Sequence, residues 1–152
     1  MAYNRKTASD YAKKWALGRN PEYYNFDGIG GDCTNFVSQC IYAGYNEMNY
    51  TRDTGWYYHS QYDRSAAWTS VEHLFRFLMN NTNAGPKGKL ILPDYAEIGD
   101  IFQLSFDGTE FSHSLFITQT YPEILVCAHT YDAYNKPLRM YNYGKLRCIR
   151  IL

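Results

Sequence analysis

The order of periodicities predicts an α+β fold, with helices in front packed on an antiparallel sheet behind. Before residue 80 apolar side chains recur at helical spacing, and after residue 100 they recur at every second position. Length supplies the third observation. A chain of 152 residues suits one domain, residues 1–152, burying roughly two-thirds of the surface its unfolded form exposes.

Ala8, Tyr11, Ala12, Trp15 and Ala16 lie on one face of a first helix, with Asn4 as its cap and Gly18 and Pro21 as its end. Cys33, Phe36, Val37, Cys40 and Ile41 mark the face of a second, closed by Gly44. Residues 45–67 read as irregular and aromatic. Thr69-Ser70-Val71-Glu72 has the capping-box pattern and opens a third helix, whose core face is Val71, Leu74, Phe75 and Leu78. Residues 81–90 read as a loop. Strands are expected over Ile101–Phe106, ended by Asp107-Gly108, then Ser112–Thr120 and Ile124–Tyr131 around Tyr121-Pro122. A closing hairpin pairs Leu138–Asn142 with Leu146–Leu152 around Tyr143-Gly144.

Fifteen basic and fifteen acidic side chains give zero formal charge, which argues against a nucleic-acid partner, since such binding needs a clustered cationic face. The last twenty residues carry five basic and no acidic side chains; these read as one solvated face of the sheet. Aromatic residues at 18% exclude a disordered composition. No apolar run reaches the ~18 residues of a membrane span. The N-terminus has no apolar signal core, so the sequence reads as cytoplasmic, or as extracellular if an export leader has been removed. Four cysteines are too few for a disulfide scaffold. With no zinc-type spacing, a reduced interior without metal or cofactor is expected.

Gly30-Gly31-Asp32-Cys33-Thr34-Asn35 is the most informative stretch. Two glycines permit a sharp turn, Asp32 is a natural N-cap, and Cys33 falls in the first helical turn. Free N–H groups there favour a thiolate and can hold an oxyanion formed by its attack on a carbonyl. The bland reading of Cys33 is a small apolar residue opening a buried face, as for Cys40. Among four histidines, His59 lies in the aromatic loop and His73 projects from the polar side of its helix. His113 shares a strand side with Leu115 and Ile117, and His129 shares one with Leu125 and Cys127. A three-residue loop at Thr120-Tyr121-Pro122 would set Ile117 opposite Leu125, Leu115 opposite Cys127, and His113 opposite His129. On a face packed against the second helix, His113 then meets Cys33 and His129 holds His113 from behind. Asp132 and Asn135 are the alternatives for that orienting role.

GGDCTNFVSQC, then WYY, SxxWTS, IGDIF, SHSLFIT and CAHT resemble, in order from Tyr3 to about Asp132, the putative amidase domain family, grouped with NlpC-type and CHAP cysteine hydrolases. The resemblance implies a papain-like fold with Cys33 as nucleophile, His113 as general base and His129 as third catalytic residue. It implies an oxyanion or substrate contact upstream of the cysteine, at Tyr23 or Tyr24, with Asp32 beside it. Trp56 and Tyr57 could wall the cleft, whereas Trp68 reads as core.

The expected activity is cysteine-dependent hydrolysis of amide bonds through a thioester, on a peptide or peptidoglycan-fragment substrate. Acyl transfer to an amine on the same triad, or an aromatic-rich binding module, are the competing readings.

Overall fold

Asn4 accepts a hydrogen bond from the Thr7 N–H at 2.9 Å and starts helix α1 (Arg5–Trp15) in the computed structural model, which describes residues 2–152. Ala8 and Ala12 are fully buried on its inner side. Their small side chains let α2 (Cys33–Tyr45) come close. Gly44, expected as the terminator, lies inside α2 instead; the helix ends on Asn46, in the left-handed region at φ 59°. The reason for glycine at 44 is contact, because a Cβ there would stand 2.5 Å from the Asn4 carbonyl oxygen and 2.9 Å from the Ala8 Cβ. Gly44→Ala is therefore expected to cost about 1–3 kcal/mol through forced separation of α1 and α2. Thermal unfolding checks this; an unchanged Tm would mean the two helices part freely.

The aromatic segment is more ordered than its pattern suggests. An Asn49–Trp56 bridge, the short hairpin β1 (Tyr58–Ser60) and β2 (Asp63–Arg64), and α3 (Ala66–Thr69) fold it onto the helices. The next helix, α4 (Val71–Asn80), is capped by Ser70 rather than Thr69. Its buried face is Leu74, Phe77 and Leu78, because Trp56 stacks on Phe77 with ring centroids 6.1 Å apart. Phe75 lies instead under the Arg147 guanidinium, 3.6 Å from its ring centre.

Six antiparallel strands form the main sheet, in the order β3-β8-β4-β5-β6-β7. They are β3 (Gly88–Ile91), β4 (Ile101–Ser105), β5 (His113–Gln119), β6 (Leu125–Ala128), β7 (Ala133–Pro137) and β8 (Lys145–Ile151). Strands β3 and β7 were not expected. The predicted final hairpin does not form: Leu138–Met140 is a 3-10 turn, and β8 pairs with β3 and β4. Pro137 offers no N–H to continue a ladder.

Both faces of the sheet are covered. Ile101, Phe116, Cys127, Ile149 and Ile151 pack under the helices with Phe36, Cys40 and Ile41. Phe102, Leu104, Leu115, Ile117, Val126 and Ala128 form a second core on the far side, closed by Leu138 and Tyr141. Strands β5 and β6 pair Phe116 with Cys127 and Ile117 with Val126, with an irregularity before Gln119 opposite Leu125. The expected register is thus wrong by one residue, since the connection spans 120–124 rather than three residues. A one-residue slip changes which side chains share a face. His113 and His129 are consequently not cross-strand partners. Among the described residues no helix is long and apolar enough to cross a membrane.

Candidate active site

Cys33 is the first residue of α2, and the chain reaches it through Gly30 and Gly31, both at positive φ (83° and 96°). Asp32 occupies the cap position but makes no side-chain cap hydrogen bond, contrary to the expectation for it. Its carboxylate turns inward. The first-turn N–H groups, which have no partner within a helix, are left without a capping carboxylate. Thr34 then plays an unforeseen part. Its hydroxyl lies 3.8 Å from the Cys33 sulfur and 2.9 Å from the Ser114 hydroxyl, which also accepts from Gln103 Nε2 at 3.3 Å. Backbone N–H groups of Ser114 and Thr34 point at the sulfur as well.

These donors favour a thiolate, yet burial outweighs them. Cys33 is 7% exposed, and burial pushes its thiol pKa up, with Asp32 adding to the rise. The helix start thus carries a neutral thiol, which corrects the expectation of a thiolate there.

His113 opens β5 opposite Leu104 and immediately precedes Ser114, whose N–H meets the sulfur. Alternation along β5 turns the His113 side chain with Leu115 and Ile117 to the sheet face away from α2, whereas Ser114 and Phe116 face the helix. Among the described residues no hydrogen bond joins the Cys33 sulfur to the imidazole, so the expected meeting of the two is not formed in this arrangement. The imidazole is 5% exposed and stands beside the rings of Phe106 and Tyr141, at centroid distances of 6.1 and 6.2 Å. Burial, and then the Lys136 charge, lower its pKa to about 4. It is an unprotonated base at neutral pH.

His129 does not stand behind His113. It stacks on Phe36 of α2 at 4.0 Å, with Nδ1 2.6 Å from Asp32 Oδ2 and Nε2 2.7 Å from the Trp15 carbonyl oxygen. Both nitrogens face acceptors, and none is left for a second imidazole. Asp32, fully buried, also accepts from the Phe26 N–H at 2.8 Å and from Asn35 Nδ2 at 2.9 Å. Arg19 Nε approaches it at 3.5 Å without hydrogen-bond geometry. This knot fastens the end of α1, the glycine loop, the start of α2 and the residue after β6 to one another.

The remaining candidates separate cleanly. Trp56 is fully buried and donates to the Ser38 hydroxyl at 3.0 Å, so it is core and not a cleft wall. Tyr57 is half-buried against Tyr50 and His59. Tyr23 stacks on Trp68 at 6.0 Å as part of the packing, whereas Tyr24 is 37% exposed and its carbonyl is held by Asn35 of the first α2 turn at 2.9 Å. Of the two, Tyr24 has the freedom to meet a ligand. Asp132 pairs with Arg19 at 2.9 Å, and Asn135 accepts from Thr118 at 2.5 Å; neither bonds His113. Among the described residues no group of three His, Cys, Asp or Glu side chains is placed to hold a metal.

Comparison with known proteins agrees with the motif reading. The chain is 34% identical over 139 residues to the uncharacterized protein YhbB of Bacillus subtilis (strain 168), a match covering 86% of this chain. It spans 42% of the length of that relative. No solved structure matches. The family model for the putative amidase domain covers residues 2–152, and the chain belongs to that family.

Proposed function

We propose that the protein is a cysteine-dependent amide hydrolase with a papain-like arrangement, acting on a peptide such as a cell-wall fragment. The observation that carries this reading is a thiol at an uncapped helix start, touched by the strand residue next to a buried, unprotonated histidine. His113, at the first residue of β5, takes the Cys33 proton once its ring turns to the helix side of the sheet, as the sulfur attacks the substrate carbonyl. Free N–H groups of the first α2 turn hold the oxyanion. The C–N bond then breaks, the amine leaves with the proton from His113, and a thioester remains. Water, activated by the same imidazole, cleaves the thioester, releasing the acid and restoring the thiol. His129 serves as a positioning residue through Asp32, which directly precedes the nucleophile.

Incubation with short cell-wall peptides and γ-glutamyl amides tests the reading. An acyl adduct on Cys33, seen by mass spectrometry of quenched reactions, is the expected result. Turnover without any adduct and undiminished by alkylation of Cys33 would overturn it.

The pH dependence has a definite sign. An imidazole that resists protonation until about pH 4 keeps the base available in mild acid, so the acid limb of kcat/KM is expected well below pH 6.5. The unfolded chain takes up that proton near pH 6.5 while the folded one refuses it. Stability therefore falls as pH drops from about 6.5 to about 4, and His113→Gln is expected to flatten that fall. Denaturant midpoints across this interval check it.

A further inference from the structure

Of the five basic side chains in the last twenty residues, three are paired with carboxylates, not arrayed as a solvated face. Arg139 pairs with Glu123 at 2.8 Å, Arg150 with Glu97 at 3.3 Å, and Arg147 with Glu72 at 3.2 Å. Arg147 also reaches inward. Its guanidinium rests against the Phe75 and Phe111 rings, 3.6 and 3.9 Å from their centres, and donates through Nε and Nη2 to Gln103 Oε1 at 2.9 and 2.6 Å. Strand register continues the line. Arg147 on β8 is opposite Gln103 on β4, and Gln103 is opposite Ser114 on β5. All three stand on the helix side of the sheet, where Ser114 meets Thr34 of α2 at 2.9 Å and Thr34 meets the Cys33 sulfur at 3.8 Å.

The direction of every bond in this row is fixed. A guanidinium only donates, so Gln103 must present Oε1 to Arg147 and its amide nitrogen to the other side. That nitrogen donates to the Val71 carbonyl at 3.0 Å and to the Ser114 hydroxyl at 3.3 Å. The Ser114 hydroxyl has no other acceptor among the described residues, so its one hydrogen goes to Thr34 Oγ1. The Thr34 hydrogen is then free to point at the sulfur. We propose that Arg147 and Gln103 are positioning residues for the candidate nucleophile, acting through Ser114 and Thr34 to hold a polarised hydroxyl donor on the Cys33 sulfur. Resting on the hydrolase reading above, this names what helps the buried thiol to ionise. Hydrogen bonds in a chain polarise one another, and this chain starts on a cation. The groups that bear on the sulfur directly are the Ser114 N–H on β5, the Thr34 hydroxyl and N–H on α2, and the Asp32 carboxylate before it. Asp32 is the one charge among them, and it opposes the thiolate. The row thus brings the influence of a cation to a sulfur whose charged neighbour is an anion.

Thiol acidity, not turnover, is the readout. Alkylation of Cys33 by iodoacetamide, quantified by peptide mass spectrometry across neutral and alkaline pH, gives the midpoint of its ionisation. Glu72→Gln, a change at the half-exposed outer end of the row, leaves Arg147 uncompensated and is expected to lower that midpoint at an unchanged Tm. Arg147→Met is expected to raise it, slowing alkylation below the midpoint by at least about threefold, the effect of about half a pH unit. Ser114→Ala cuts the row between Gln103 and Thr34. In that background both changes are expected to leave the midpoint where Ser114→Ala alone sets it. Shifts of equal size with and without the Ser114 hydroxyl, or no shift from Glu72→Gln in the wild-type protein, overturn the proposal. Should Arg147→Met fail to fold, Glu72→Gln with and without Ser114→Ala decides it. Failure here leaves the hydrolase reading standing, since the Cys33 acyl adduct tests that separately.

Discussion

Cys33→Ala is expected to lower amide hydrolysis by at least about 10⁴-fold, the scale on which removal of a covalent nucleophile acts. Its effect on Tm should stay within a few degrees. The sulfur is buried, but the helix begins without any help from it: the first intrahelical bond, Phe36 N–H to the Asp32 carbonyl at 3.0 Å, involves neither Cys33 nor its side chain. Alanine keeps the Cβ and leaves Thr34 and Ser114 bonded to each other at 2.9 Å. Loss of activity without loss of fold therefore isolates the chemistry. Steady-state rates on the peptide that gives the adduct, together with a thermal scan, make the measurement. Activity within tenfold of wild type would remove Cys33 from the mechanism.

Thr34→Val probes the same sulfur from the other side. It removes one donor at 3.8 Å and leaves the Ser114 hydroxyl bonded to Gln103 Nε2 alone, but keeps the two backbone N–H groups in place. Its rate loss should be far smaller than that of Cys33→Ala, because the nucleophile survives.

The helices of this site were legible because each carries a long apolar stripe and recognisable ends: Asn4 before α1, and two glycines before Cys33. His113 was legible for a similar reason, lying at the start of a run, Leu115-Phe116-Ile117, that only a strand buried on both faces would carry. His129 was found but misplaced. Its role depends on register, and register depends on a connection of 120–124 and an irregularity at Thr118 that alternation does not announce. Strand β7 was hidden because Tyr134, Asn135 and Lys136 are polar or half-exposed, and its Asn135 takes a positive φ of 45°. The inward turn of Asp32 was equally hidden. Local sequence recommends a cap, and only the arrival of His129 from beyond β6, with the Phe26 N–H of the preceding loop, gives the carboxylate other donors.

Asp32→Ala is accordingly expected to produce the largest stability loss of any single change near the site, about 3–5 kcal/mol. For a chain of this length that is a fall of roughly 6–20 °C in Tm. The carboxylate is fully buried, and its removal leaves the Phe26 N–H, the Asn35 amide and His129 Nδ1 without their acceptor. Asp32→Asn keeps the shape and one acceptor, so it should cost less but still loosen the glycine loop. His129→Gln removes the other half of the knot, and the two changes share one interaction. A double-mutant cycle of Asp32→Asn with His129→Gln should therefore show coupling of about 1 kcal/mol or more. Additive losses would mean that His129 and Asp32 stabilise the fold independently, and that His129 does not reach the nucleophile through the residue before it. Coupled losses, accompanied by a fall in kcat at unchanged KM, would mean that the same buried contact that holds α1, the glycine loop and β6 together also aims the thiol.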